Sequence, residues 1–191
     1  VLGEKLRARY GEDIGIAAIG PAGEKLFHAA GISNSDPEGQ PGRYAGRGGL
    51  GAVMGSKLLK AVVVKAPKGG RVAAGDAARM REAARGFTEL LRSDPVCGGV
   101  FAALGTACLV NPMNEAGAFP AMNCRVGKWE GAGRISGEAM AEIIKRRGGK
   151  GKTGHPCHPG CVMRCSNIYP DERGEIICAP VEYETIWALG G

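Results

Sequence analysis

The sequence predicts an α+β fold, with strands gathered near its start and helices after them. Three observations predict this. Residues 14–19 and 59–64 are apolar runs of strand length, and Gly20-Pro21-Ala22-Gly23 stops the first with turn chemistry. Composition then shifts over Ala66-Pro67-Lys68-Gly69-Gly70. Beyond it, Ala77, Met80, Ala84, Phe87 and Leu91 recur at spacings of three and four, one face of a helix. The boundary divides the chain into residues 1–66 and residues 67–191.

The other elements follow in order. Leu2 to Tyr10 reads as a short amphipathic helix ending at Gly11, and residues 33–44, rich in Ser, Asp, Pro and Gly, read as a loop. The 59–64 strand, with Lys60 inside it, is expected to be largely buried. Ser93-Asp94-Pro95 ends the long helix, and residues 98–134 read as irregular. A second helix starts at Ser136, a good N-cap, with Ile135 and Met140 placed to staple it. Gly148 is its natural C′ residue. Glu175 to Cys178 reads as a strand, and a last helix begins near Pro180.

Composition bounds the function classes. The 191 residues hold one ordinary domain or pieces of two. The chain begins at Val1 without Met and ends in an apolar pattern, so it is read as an internal fragment. Glycine reaches 33 residues without a collagen period, which points to tight turns and close backbone approach to something bound. No apolar run is expected to span a membrane. The net charge of +6 suits a solvated basic face, a polyanionic cofactor or an acidic partner. Lys145-Arg146-Arg147, Lys150 and Lys152 cluster without interleaved aromatics, which argues against single-stranded nucleic acid. Seven cysteines, three of them in one short stretch, fit a metal or redox site in a reducing, cytoplasmic setting better than a disulfide framework.

Gly46-Arg47-Gly48-Gly49-Leu50-Gly51 satisfies G-x-G-x-x-G. The dinucleotide-binding context is missing: a Pro/Gly loop precedes the motif, and no acid stands near Arg71, the first being Asp76. Gly55-Ser56-Lys57 has the wrong residue order for a P-loop. Two readings stay open. Successive glycines let backbone N–H groups approach an anion, with Arg43, Arg47 and Lys57 adding charge. Alternatively, they line the crossing of two packed elements.

His155-Pro156-Cys157-His158-Pro159-Gly160-Cys161-Val162-Met163-Arg164-Cys165 is the densest ligand stretch. Three thiolates on a Pro/Gly loop suit an iron–sulfur cluster or zinc. Core filling is the bland alternative. Cys97, Cys108 and Cys124 are scattered and read as small buried hydrophobes.

The stretch from Arg43 to Val62 resembles the aldehyde ferredoxin oxidoreductase family. So do Ile19-Gly20-Pro21-Ala22-Gly23-Glu24, Leu104-Gly105-Thr106, Gly117-Ala118-Phe119-Pro120-Ala121-Met122-Asn123 and Ile135-Ser136-Gly137-Glu138, nearly end to end and in order. The resemblance implies that a β-rich pterin-binding domain closes by residue 66 and a mainly helical, cluster-binding domain starts at 67. It implies that Arg43, Tyr44, Ala45, Gly46, Arg47, Gly48, Gly49 and Gly51 meet a tungsten- or molybdenum-bis-pterin, with Mg2+ bridging the phosphates. The family's cysteine pattern here is C-x2-C-x3-C, with a fourth cysteine much later. Cys161 and Cys165 fit its last two positions, while His158 stands at the first and Cys157 one residue earlier. Cys157, Cys161 and Cys165 are the expected ligands of a 4Fe-4S cluster, with His158 turned aside. The fourth ligand is expected beyond residue 191, with Cys178 an outside candidate. Val181-Glu182-Tyr183-Glu184-Thr185 resembles the family's P-E-Y-E-T element, which makes Glu182 and Glu184 candidates for a general base or for positioning water. The alternative is that these acids complement a helix dipole. The implied substrate is a small aldehyde-like molecule, and the implied partner is ferredoxin or another acidic electron carrier. A homo-oligomer stays open. A non-catalytic zinc- or cluster-bearing module is the alternative function.

Overall fold

The structure, a computed structural model, describes residues 2–67 and 73–189. The Lys68-Gly69-Gly70 part of the expected boundary lies outside the described residues, as do Gly190 and Gly191. The chain divides into two units, Val1–Ala74 and Gly75–Gly191.

The first unit runs α1 (Leu2–Tyr10), β1 (Gly15–Ala18), α2 (Pro21–Glu24), β2 (Ile32–Asn34), β3 (Arg43–Ala45), α3 (Leu50–Ser56) and β4 (Ala61–Val64). Its described strands form one antiparallel sheet in the order β3-β2-β1-β4. Residues 33–44, expected as loop throughout, form strands at both ends. Ser33 pairs with Tyr44 and Asn34 with Arg43, so backbone pairing overrides the polar composition. The last strand also differs from expectation. Its burial alternates, with Val62 and Val64 facing out, as period-2 geometry requires of a half-buried strand. Lys60, just before it, snorkels: Nζ pairs with the Glu24 carboxylate at 2.7 Å and donates to the Ile19 carbonyl.

The core of this unit contains Ile19, Ala30 and Met54. Glycines let α2 and α3 cross beside it. A Cβ at Gly55 would overlap the Gly23 carbonyl, and one at Gly23 would sit 2.9 Å from the Gly51 carbonyl. A Cβ at Gly51 would sit 2.5 Å from the Gly31 carbonyl.

The second unit begins with α4 (Ala77–Ser93), capped by Asp76, whose Oδ1 accepts from the Ala78 and Arg79 amides at 3.0 Å each. The helix forms as its period predicts, yet Met80 and Phe87 on its apolar face are about 60% exposed. Asp94 then accepts from the Val96 and Cys97 amides at 3.0 and 2.6 Å, starting a π-helical turn, Pro95–Val100. Those bonds hold its carboxyl below the usual aspartate range, the Cys97 amide bond contributing most.

Residues 98–134, expected to be irregular, are mostly short helical pieces: α5 (Phe101–Leu104), a 3-10 turn (Gly105–Leu109), α6 (Val110–Glu115), α7 (Ala121–Cys124) and a second 3-10 turn (Ala132–Ile135). Glycine and proline break the helix repeatedly, but the apolar stretches between them keep local hydrogen bonds. By length and composition alone, the run Pro95–Glu115 could cross a membrane, contrary to the expectation that none approaches that length. Gly105 interrupts it at φ 66°, and Ala107, Cys108 and Val110 are buried in the core.

After α8 (Gly137–Arg147) come β5 (Lys152–His155), β6 (Ser166–Pro170), β7 (Ile176–Val181) and α9 (Tyr183–Ala188), the strands forming an antiparallel sheet in the order β5-β6-β7. Ser136 caps α8, its Oγ accepting from the Ala139 amide at 3.3 Å, and Gly148 ends it with φ 65°. Two residues of the basic cluster have structural partners, while Lys145, Arg146 and Lys152 are exposed. Arg147 donates to the Pro170 carbonyl at 2.9 Å and lies over the Tyr169 ring, and Lys150 pairs with Glu175. Two core clusters hold the unit together. Ala107, Met140, Ile144 and Val181 form one; Val110, Phe119, Ala121 and Ala132 form the other, with Tyr183 and Trp187 packed on it.

Candidate functional site

In the first unit, β3 runs straight into the glycine turn and then α3, placing Arg43, Tyr44 and Ala45 on an edge strand. A strand therefore does precede the glycine motif, against the sequence reading. The dinucleotide fold is still excluded, because β3 pairs antiparallel with β2 and every pairing among the described strands of this sheet is antiparallel.

The glycines divide into two groups. Gly46 and Gly48 are exposed, and a Cβ on either meets open space. Gly48 has φ 77°, which a larger residue adopts only under strain. Gly49 and Gly51 face inward. A Cβ at Gly49 would sit 2.8 Å from the His28 carbonyl, and the Gly51 amide donates to the Ala30 carbonyl at 2.9 Å. The base of the motif is therefore a packed crossing, as the second reading has it, and its rim is exposed. A cavity of about 460 Å³ lies in the same unit, lined by Arg7, Gly20, Ser33 and Tyr44 among others. Residues 46–49 do not line it.

In the second unit, the cysteine run is the tip of the β5–β6 hairpin. His155 pairs with Ser166, whose Oγ also donates to the His155 carbonyl at 2.9 Å, closing the loop at its base. The Pro-Gly pair shapes the tip. The Cys161 amide donates to the His158 carbonyl at 3.3 Å and Gly160 takes φ 82°, a turn with Pro at its second position and a positive-φ glycine at its third. That turn brings His158 and Cys161 together. One donor atom from each of Cys157, His158 and Cys161 lies within 4.8 Å of the others. His158 thus faces the thiols, where the sequence reading had it turned aside.

Cys165 stands outside that tight group. Burial pushes its thiol up, and Glu182, Cys157 and Cys161 push it further. Of the cysteines expected to be core fillers, only Cys108 is buried; Cys97 is half-buried and Cys124 exposed. Beside the tip is a cavity of about 340 Å³, walled by Arg92, Cys161 and Arg164 among others.

Glu182 and Glu184 have different surroundings. Glu182 is the N-cap of α9 in a reciprocal box. Its carboxylate accepts from the Thr185 amide, while the Thr185 hydroxyl accepts from the Glu182 amide at 3.2 Å. Glu184 stands exposed on the first turn and raises the Tyr183 phenol, whose burial raises it more.

Thr106 joins this helix to the cysteine loop, a role that sequence reading missed. Its amide donates to the Cys165 carbonyl at 2.7 Å, and its hydroxyl accepts from the Tyr183 amide at 3.0 Å. Buried Asn167 adds a second brace, donating to the Leu104 carbonyl at 2.9 Å and accepting from the Gly154 amide at 3.1 Å. Gly105 is needed between them, since a Cβ would sit 2.8 Å from the Cys165 carbonyl. The signal available was Leu104-Gly105-Thr106 itself. Thr106→Val keeps the shape but removes the acceptor, at a cost of about 1–2 kcal/mol. Hydrogen exchange at the Tyr183 amide should quicken roughly tenfold or more, with Thr106→Ser close to wild type. Unchanged exchange in Thr106→Val would remove the brace from the account.

Comparison with known proteins agrees with the motifs. The family model for the aldehyde ferredoxin oxidoreductase N-terminal domain matches residues 1–66, and that for aldehyde ferredoxin oxidoreductase domains 2 and 3 matches residues 82–191. The chain belongs to the aldehyde ferredoxin oxidoreductase family. The tungsten-containing aldehyde ferredoxin oxidoreductase of Pyrococcus abyssi is 43% identical over 178 residues, covering 92% of this chain and 26% of the relative. The enzyme of the same name from Pyrococcus furiosus is 42% identical over 181 residues, covering 94% of this chain and 27% of the relative. The chain thus spans about a quarter of the length of the relatives it matches. Among solved structures, the active-site complex BamBC of benzoyl coenzyme A reductase, in complex with 1,5-dienoyl-CoA, is similar in fold. Its TM-score is 0.55 at 24% identity, covering 88% of this chain and 25% of that one.

Proposed function

We propose that this chain is part of a longer enzyme that oxidises aldehydes to carboxylic acids, with water supplying the added oxygen. The observation that carries the reading is a thiol-rich hairpin tip tied by Thr106 to the helix bearing Glu182 and Glu184, in a chain of this family. When bound, a tungsten- or molybdenum-pterin accepts the two electrons of the oxidation, and a 4Fe-4S cluster passes them singly to ferredoxin or another acidic carrier.

The residues fit both groups. Gly46 and Gly48 leave open space where a bulky anion can meet the backbone, and Arg43 and Arg47 bring charge to it. Tyr44 and Ala45 set the edge of that turn, and Mg2+ would offset the negative charge of phosphates held there. Gly49 and Gly51 shape the turn from inside. Cys157, Cys161 and Cys165 supply the soft sulfur donors that iron–sulfur clusters require. Glu182 holds the start of α9 in place, which leaves Glu184 to orient water or take its proton.

The test is aldehyde-dependent ferredoxin reduction by the full-length enzyme. Glu184→Gln should lower kcat by about a hundredfold or more. Glu182→Gln, which can still cap the helix, should lose far less. The reverse order would reassign the base.

A second reading is favoured by one observation. The mixed nitrogen and sulfur donors of Cys157, His158 and Cys161 also suit a zinc ion in a non-catalytic module. Acid-labile sulfide separates the two.

A further inference from the structure

Electrons taken from an aldehyde must leave the protein, and the cysteine hairpin has an opening suited to that step. The cavity of about 340 Å³ beside the tip has Cys161 in its wall. Arg92, from the last turn of α4, and Arg164, the residue before Cys165, line it too. Both arginines are exposed. Among the described residues, neither guanidinium has a carboxylate or a hydrogen-bond partner. The positive rim continues along α4, where Arg81, Arg85 and Arg92 share one face with a single acid, Glu89. The backbone supplies a second, independent observation. Arg164 takes φ 46°, in the left-handed region that suits glycine and strains other residues. A glycine there would relieve the strain, and the exposed guanidinium gives the fold no ion pair or hydrogen bond in return for it. Strain kept without a structural return points to function.

We propose, resting on the iron–sulfur reading above, that Arg92 and Arg164 dock an acidic electron-carrier protein. One surface carboxylate of the carrier enters the cavity between them, which holds the carrier's redox centre against the hairpin tip. The chemistry suits guanidinium, whose planar fork meets a carboxylate through two parallel hydrogen bonds. The net charge of +6 draws an anionic protein toward the chain before contact. Each aldehyde oxidised to its acid takes the oxygen of one water and gives up two electrons and two protons. Two carriers dock in turn, each leaves with one electron, and the protons pass to water. Turnover needs the reduced carrier to leave, which suits a small contact between exposed, salt-screened charges.

The experiment uses the full-length enzyme with an acidic 4Fe-4S ferredoxin as probe. Benzyl viologen, a small dication that needs no cationic dock, is the comparison acceptor. Aldehyde-dependent reduction of both is measured at low salt and at about 0.5 M, where screening is strong. Calorimetry follows the binding of oxidised ferredoxin, and iron content is measured on the same samples. Arg92→Glu and Arg164→Glu should each raise the ferredoxin KM and Kd about tenfold or more at low salt. That difference should fade at high salt, with viologen reduction and iron unchanged throughout. Arg164→Gly should melt no lower than wild type, since it relaxes the backbone, yet still bind ferredoxin more weakly. Wild-type ferredoxin affinity in both charge reversals would overturn the dock and leave aldehyde oxidation standing. An equal loss toward ferredoxin and viologen would also overturn it, because the arginines would then act on the cluster and not on the carrier. An Arg164→Gly that melts well below wild type and binds ferredoxin normally would return Arg164 to the fold. A wild type that reduces neither acceptor would overturn both the dock and the proposed function.

Discussion

Gly55→Ala should unfold or strongly loosen the first unit, whereas Gly46→Val should leave it folded and empty it of pterin. The first expectation follows from the α2–α3 crossing, where a Cβ at Gly55 would overlap the Gly23 carbonyl. Backbone cannot move aside as a flexible side chain can, so the cost should be about 3 kcal/mol or more, at the high end for overpacking. Hydrogen exchange over α2, α3 and β4 should rise accordingly. Gly46 is exposed, meets nothing within 4 Å of an added Cβ and has no positive φ. Its replacement should change stability by no more than about 0.5 kcal/mol, while pterin and tungsten or molybdenum content falls. A tolerated alanine at Gly55 would refute the crossing. Normal pterin loading in Gly46→Val would show that the turn does not hold the cofactor. Valine at Gly49 would not separate the two effects, since its Cβ meets the His28 carbonyl and its φ is 67°.

Cys161→Ser should reduce the iron and sulfide of the full-length enzyme to about a tenth or less, since loss of a ligand should exceed the 10- to 100-fold effect of losing a supporting group. Serine keeps the size and removes the soft donor, so the loss reports ligation. Two controls share the substitution. Cys108 is buried in the core, and Cys108→Ser should cost stability without removing iron. Cys178 is exposed on β7, and Cys178→Ser should change neither. Retained iron in Cys161→Ser would remove the hairpin tip as the cluster site.

Much of the frame was legible because local rules decide it. Ser136 and Gly148 bound α8 where capping preferences place them. The α4 period was also readable, but the exposure of Met80 and Phe87 was not, since period reports the face and not what covers it. The β5–β6 hairpin was missed because Lys-Thr-Gly-His and Ser-Asn-Ile-Tyr-Pro lack apolar alternation; their pairing is held by Asn167, Ser166 and the cysteine loop's closure. The glycine motif could not be divided by sequence. Gly46 and Gly51 are the same residue, and only the Ala30 and Gly31 carbonyls beside one of them give it a different task. Glu182 and Glu184 were equivalent on paper for the same reason, until Thr185 completed the cap around one of them.

The central claim is that this chain helps hold both a metal–pterin and an iron–sulfur cluster. Elemental and cofactor analysis of the full-length protein, purified without oxygen, tests it most directly. The account predicts equimolar iron and acid-labile sulfide, tungsten or molybdenum in stoichiometric amount, and pterin released on denaturation. Zinc without sulfide, and no pterin, would contradict it.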